Sequence, residues 1–294
     1  MSEKKITLLD GASGTSLWER TGDHSPVWKF NLERPDDVRA QILEFIETGA
    51  KIVLSNTFGA NPPAVQKSSG MDPDEVVAAG VRLAKEAVAE AKAKAGDGRY
   101  DDVKVAMAIG PLTQMLEPWG ELPYDECRAI YEKMIAAGMK EGADIIYPMT
   151  FMDLDMLKIA VEVASRYGVP VFASMSFTEF GKTIMGNGVE DIVAALVPLG
   201  VAALGVNCSL GPDKALPILK EFAEKSPVPT IFKPNAGIPI LSAHHTSVVP
   251  CTPENFASAF IPALPYADYV GGCCGTSPVY LAAVRDAIEA WSAE

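Results

Sequence analysis

Cysteine offers this chain its most reactive chemistry, and its placement is uneven. Of the five cysteines, at 127, 208, 251, 273 and 274, three fall in two short motifs, Asn207-Cys208 and Gly271-Gly-Cys-Cys-Gly275. Thiolates are nucleophiles and soft metal ligands. Three of them at about 2.3 Å from Zn2+ with a fourth position open make a catalytic centre, whereas a structural site is closed by a fourth ligand. Adjacent residues of a strand point to opposite faces, so Cys273 and Cys274 share one ion only where the backbone leaves the strand. Gly271, Gly272 and Gly275 permit that departure. The spacing matches no standard zinc-finger pattern, and two other readings stand beside the metal site: small buried hydrophobes, or a vicinal disulfide at 273–274. Cys127 shares a helix face with Ile130, Tyr131 and Met134 and reads as core. Cys251, His244 and His245 read as loop residues, with a fourth metal ligand as the other reading.

Such motifs need a scaffold that brings them together. Short apolar runs at Ile6–Leu9, Lys51–Leu54, Val103–Ile109, Asp144–Tyr147, Pro170–Ala173, Ala202–Val206, Thr230–Phe232 and Tyr269–Val270 read as eight strands. Helical segments lie between and after them at Asp36–Thr48, Asp74–Ala95, Tyr124–Glu141, Leu154–Tyr167, Val189–Leu199, Asp213–Lys225, Pro253–Ile261 and Val279–Ser292. Strict alternation argues for parallel β-structure, and apolar runs without period two argue for strands covered on both faces. Eight such units predict a (β/α)8 TIM barrel. The competitor is an open doubly wound sheet, but neither Gly11-Ala-Ser-Gly14 nor Gly271-Gly-Cys-Cys-Gly275 has dinucleotide spacing. Without a repeat, linker or composition break, residues 1–294 read as one domain.

A TIM barrel does its chemistry at the C-terminal ends of its strands, and polar residues collect there. In strand order they are Asp10; Asn56 and Thr57; the Gly110-Pro111 turn; Thr150; Ser174 and Ser176; Asn207 and Cys208; Asn235; Cys273 and Cys274. Singly, each has a capping or turn explanation. Together they define a mouth, where the ends of strands 6 and 8, two places apart on the ring, converge.

Charge and export signals narrow the function classes. With 25 basic against 38 acidic side chains the formal charge is −13. Phosphate backbones and anionic lipid surfaces are repelled, which argues against nucleic-acid and membrane-surface roles. The N-terminus has no signal-peptide apolar segment, and the charge-free run 192–212 is broken by Pro198, Gly200 and Gly205, so no membrane span is expected. The expected compartment is the cytoplasm, where thiols stay reduced.

Five motifs carry a resemblance: Asp10-Gly-Ala-Ser-Gly-Thr15, Ser55-Asn-Thr-Phe-Gly-Ala-Asn61, Gly205-Val-Asn-Cys-Ser209, Lys233-Pro-Asn-Ala-Gly-Ile-Pro239 and Gly271-Gly-Cys-Cys-Gly-Thr276. In order, they resemble the motifs of the homocysteine S-methyltransferase family, and the Pro-Asn-Ala-Gly stretch is most similar to the homocysteine-binding domain of cobalamin-dependent methionine synthase. The resemblance runs from about residue 6 to 290. It implies a zinc barrel with Cys208, Cys273 and Cys274 as ligands and a thiol acceptor, homocysteine first, as the fourth. Asp10, Thr150, Asn207 and Asn235 are the expected substrate-site residues. The sequence departs from the family at Met149-Thr150 and Leu54-Ser55, where the pattern has Glu-Thr. The loss of an anionic partner for an ammonium forfeits roughly 1.5–3 kcal/mol, so either the acceptor differs from homocysteine or Asp153 or Asp155 substitutes.

Zinc ligation deprotonates a thiol that is otherwise mostly protonated at neutral pH. Only one helix follows the last strand, so the methyl donor is expected to arrive separately. A methylated corrinoid protein docking over the mouth is the leading donor. A small sulfonium or quaternary ammonium donor is the alternative and would favour an aromatic cage from Trp28, Phe30 and Trp119. Two rival classes remain: an aldolase-like barrel binding phosphate at loops 7 and 8 near Lys233, and a non-catalytic metal-binding barrel.

Overall fold

A computed structural model of the chain describes residues 4–241, 246–249 and 251–293. Its strands are β1 (Thr7–Leu8), β2 (Ile52–Leu54), β3 (Lys104–Ile109), β4 (Ile145–Pro148), β5 (Phe172–Met175), β6 (Ala203–Asn207), β7 (Thr230–Lys233), β8 (Ile238–Leu241), β9 (Thr246–Val249) and β10 (Tyr269–Val270). Parallel pairing joins β1-β10-β7-β6-β5 and, separately, β2-β3-β4. Parallel bridges Leu9–Ile52 and Ile146–Val171 close the two gaps. The ring β1-β2-β3-β4-β5-β6-β7-β10 is therefore a closed eight-stranded parallel barrel, and the open-sheet alternative is excluded.

Alternation along the strands sorts side chains into two cores. In β3, Ala106 and Ala108 face the barrel interior with Leu9, Leu54 and Ile231, while Val105, Met107 and Ile109 pack against the helices. Because both faces are apolar, the strands show no period-two polarity in sequence. Helices Pro35–Glu47, Pro73–Ala95, Pro212–Lys225, Pro253–Phe260 and Pro278–Ser292 each open on proline, a residue whose fixed φ and missing N–H suit the first turn. The remaining barrel helices, Tyr124–Met139, Leu154–Ala164 and Val189–Leu196, also fall within the expected segments, the last two tightening into a 3-10 turn.

Two features go beyond the sequence expectation. Short helices Ser13–Thr21, Phe30–Glu33 and Pro62–Ser69 fill the loops after β1 and β2. An antiparallel hairpin, β8 with β9, follows β7, where Pro239 argues against a strand in sequence. His244 and His245 lie outside the described residues. Among the described residues no helix is long and apolar enough to cross a membrane.

Candidate metal centre at the barrel mouth

The strand ends set the cysteines. Cys208 directly follows β6 with φ 62°, and Ser209 has φ 58°, both in the left-handed region that costs a non-glycine residue roughly 1–2 kcal/mol. Local hydrogen bonds hold this turn: Cys208 N–H donates to Lys233 O (3.0 Å), Leu210 N–H to Cys208 O (2.6 Å) and Asn235 N–H to Leu210 O (2.8 Å). The loop after β10 leaves the strand as expected. Cys273 N–H donates to Pro234 O (2.8 Å), Thr276 N–H returns to Cys273 O (3.1 Å), and Gly275 adopts φ 82°. A Cβ on Gly271 would lie 2.7 Å from Asp10 O, so this crossing needs glycine.

The result brings Cys208, Cys273 and Cys274 together, with all three sulfurs within 4.8 Å of one another. Cys208 Sγ and Cys274 Sγ are 3.7 Å apart. Thiolates bound tetrahedrally at about 2.3 Å from one ion stand about 3.8 Å apart, so the arrangement fits a single cation. The thiols are partly exposed and free. Hydrogen bonds from Cys273 and Cys274 pull the Cys208 thiol below its usual range, and the same pairing pushes the Cys273 thiol up.

Asn235 supplies a second observation at the site. Its side chain is 1% exposed and hydrogen-bonds to Cys208. Its carbonyl oxygen is buried with no hydrogen-bond partner. Buried acceptors of this kind are rare and call for an explanation, and a cation among the thiolates supplies one. Cys251 stands outside the three-cysteine group, its carbonyl accepting from Tyr280 Oη (2.7 Å). Cys127 is fully buried, and burial pushes its thiol up to about 12.

Around the sulfurs lies a saturated polar network. Asn207 Oδ1 accepts from Thr150 N–H (2.8 Å) and Ser174 Oγ (2.6 Å), while its amide reaches Thr150 Oγ1 (2.6 Å) and approaches Cys273 Sγ (3.9 Å). Thr150, at φ 61°, is held in the left-handed region by these bonds. Ser174 pairs with Tyr147 Oη (2.9 Å), and Ser176 Oγ donates to Asn207 O (3.2 Å). On the other side Lys233 Nζ donates to Asp10 Oδ1 (2.6 Å) and Asp10 O (2.9 Å), and Leu54 N–H donates to Asp10 Oδ2 (2.7 Å). Asp10, Asn207 and Asn235 thus meet the cysteine loops, but Asp10 and Asn207 have their polar atoms already engaged.

Other expectations resolve differently. Asn56 bonds Val27 O and Asn31, and Thr57 bonds Ala108 O, so both pin loops rather than join the cluster. Trp28 and Phe30 are core residues at 5% and 0% exposure while Trp119 is 73% exposed; the three form no aromatic cage. N–H groups of Gly271, Gly272 and Gly275 are spent on Phe232 O, Asp10 O and Thr15 Oγ1. With Lys233 paired as well, the loop-8 glycines and this lysine have no donor left for the phosphate-binding reading. Tyr147 is the network member that sequence reading missed, because an aromatic inside an apolar strand carries no polar signal.

A closed (β/α)8 barrel with three convergent cysteines at its C-terminal mouth defines the class: a TIM barrel with a three-thiol group suited to a metal ion. The chain belongs to the homocysteine S-methyltransferase family, whose model matches residues 7–288. It is 32% identical to a methionine synthase of Mycobacterium tuberculosis over 97% of its length, and 30% identical to that of Mycobacterium leprae. It spans about a quarter of the length of these curated relatives. Among solved structures, the metallated form of the homocysteine methyltransferase MmuM from Escherichia coli superimposes with a TM-score of 0.81 at 22% identity, covering 97% of this chain and 96% of that one. Its apo form gives 0.76 at 21% identity, with 97% of each chain covered. At that identity the likeness shows the fold alone.

Proposed function

We propose that the chain is a zinc-dependent thiol S-methyltransferase that converts homocysteine to methionine, with the methyl group delivered by a separate methyl-corrinoid protein. The observation that carries this reading is the three-cysteine cluster, spaced for one ion. Family membership supports the acceptor.

Zinc bound there would lower the pKa of a thiol in the open position and present it as thiolate. Cys208, Cys273 and Cys274 would hold the ion and offset its charge, which would keep the acceptor sulfur electron-rich. Asn207 orients Cys273 and fixes Thr150 at the rim. The Asp10–Lys233 pair ties the ends of β1 and β7 to both cysteine loops through Gly272 N–H and Cys208 N–H. No group needs to act as acid or base on carbon, since sulfur attacks the methyl carbon in line.

The donor reading draws on the rim. Phe58, Met115, Trp119, Met152, Phe180 and Ile184 follow the C-terminal ends of β2, β3, β4 and β5 and are between 41% and 83% exposed. Exposed apolar side chains in loops on the cysteine side of the barrel suit a protein partner. Zinc analysis of wild-type and Cys→Ala proteins, followed by a donor panel of methylcobalamin, S-methylmethionine and betaine, tests the proposal. One zinc and corrinoid-dependent transfer to homocysteine are expected. Rapid turnover with a small onium donor and no corrinoid would overturn the donor.

A further inference from the structure

The charge inventory of the mouth bears on what the acceptor must carry. Homocysteine brings an α-ammonium, which a selective site meets with a carboxylate. Two charged side chains, Asp10 and Lys233, bond to the ends of the cysteine-bearing segments, and each is about 1% exposed. Asp10 has Lys233 Nζ on Oδ1 and Leu54 N–H on Oδ2, so neither oxygen is left for an incoming cation. Asp153, beyond β4, caps its helix by accepting from Asp155 and Met156 N–H, and Asp155 accepts from Tyr124 Oη at 3.3 Å. The loop after β6 has no acidic residue before Asp213, the loop after β7 none before Glu254, and the loop after β10 none.

Three accessible side chains that adjoin the cysteine loops or Asn207 are uncharged. Thr15 bonds the Gly275 N–H, Thr150 bonds Asn207, and Ser209 follows Cys208; all three are accessible. Met149, next to Thr150, is 5% exposed and packs on the barrel's interior wall with Tyr147 and Ala108. A thioether in that position offers an ammonium only dispersion and a weak acceptor.

Building on the thiol-methylation reading above, we propose that the acceptor site reads the thiol and not the α-ammonium, so that uncharged alkylthiols are methylated alongside homocysteine. In the reaction the thiol proton passes to solvent and the sulfur lone pair forms the S–CH3 bond. The donor's bond to carbon breaks, and its electron pair stays on the donor, as Co(I) when the donor is a methyl-corrinoid.

The test is a calorimetric titration of the zinc-loaded chain with homocysteine and with 3-mercapto-1-propanol, each Kd corrected for its thiol pKa. An ammonium held by a carboxylate is worth roughly tenfold to a hundredfold in Kd. The expected ratio is below tenfold, with S-methylated product from both thiols when methylcobalamin is supplied. A preference for homocysteine above tenfold overturns the inference and leaves the methyltransferase reading intact. Binding of neither thiol overturns both. Met149→Glu is expected to raise the homocysteine preference at least tenfold, and an unchanged ratio in that variant would contradict the inference that a carboxylate at this position reads the ammonium.

Discussion

Lys233 Nζ lies 2.6 Å from Asp10 Oδ1, with the two side chains 1% and 2% exposed. Desolvated charges of this kind contribute little net stability as a pair but are costly to separate. Lys233→Met and Asp10→Asn are each expected to destabilise the fold by about 3–5 kcal/mol, and the double variant by less than the sum. Denaturant unfolding of the two single variants and the double measures the coupling; strictly additive losses would show that the pair is not a unit.

Removing Cys208, Cys273 or Cys274 as alanine is expected to lower zinc content and methyl transfer together, whereas Cys127→Ala should leave both near wild type. Cys127 is fully buried, with its thiol pushed up to about 12 by burial, and lies in the helix Tyr124–Met139. Metal analysis and activity of the four variants check this. Full occupancy in all three mouth variants would remove the metal assignment.

Asn207→Ala strands the Thr150 N–H, leaves the Ser174 hydroxyl with Tyr147 Oη alone, and frees a backbone held at φ 61°. A loss of about 1–3 kcal/mol in stability is expected from the unmade bonds, together with a 10–100-fold weaker zinc affinity, the usual cost of losing a ligand's supporting partner. Chelator competition reads the second effect. Unchanged affinity would make Asn207 a purely structural residue.

The ring of strands was legible because parallel β/α alternation with apolar strands leaves few other architectures, and the boundaries hold to within about two residues. The cysteine cluster was legible as well, since the topology places β6 and β10 on either side of β7. The saturation of Asp10 was not. A lysine ending the apolar run Thr230-Ile-Phe-Lys233 signals a buried cation, but its partner lies at the other end of the chain. Left-handed turns at Thr150 and Cys208 also leave no sequence mark, because tertiary hydrogen bonds rather than glycine hold them.

Phe180→Asp and Trp119→Asp place charges on the apolar rim at two of its most exposed positions, 83% and 73%. With a methyl-corrinoid protein as donor, KM is expected to rise at least tenfold while kcat with free methylcobalamin stays near wild type. Equal effects on both donors would argue against a docking role.

With all three sulfurs within 4.8 Å of one another, and Cys208 and Cys274 3.7 Å apart, two of the mouth thiols are expected to oxidise once metal is stripped. Thiol titration after chelation and exposure to air should show two thiols lost at the mouth, and zinc-loaded protein should keep them. Loss at the same rate with and without zinc would place the ion elsewhere.

Zinc-edge X-ray absorption of the loaded protein, recorded before and after addition of homocysteine, bears most directly on the central claim. Three sulfur scatterers at about 2.3 Å and one lighter atom are expected at first, becoming four sulfurs when the acceptor binds. Fewer than three sulfurs in the free protein, or no added sulfur with homocysteine, would contradict a three-cysteine centre that activates a thiol.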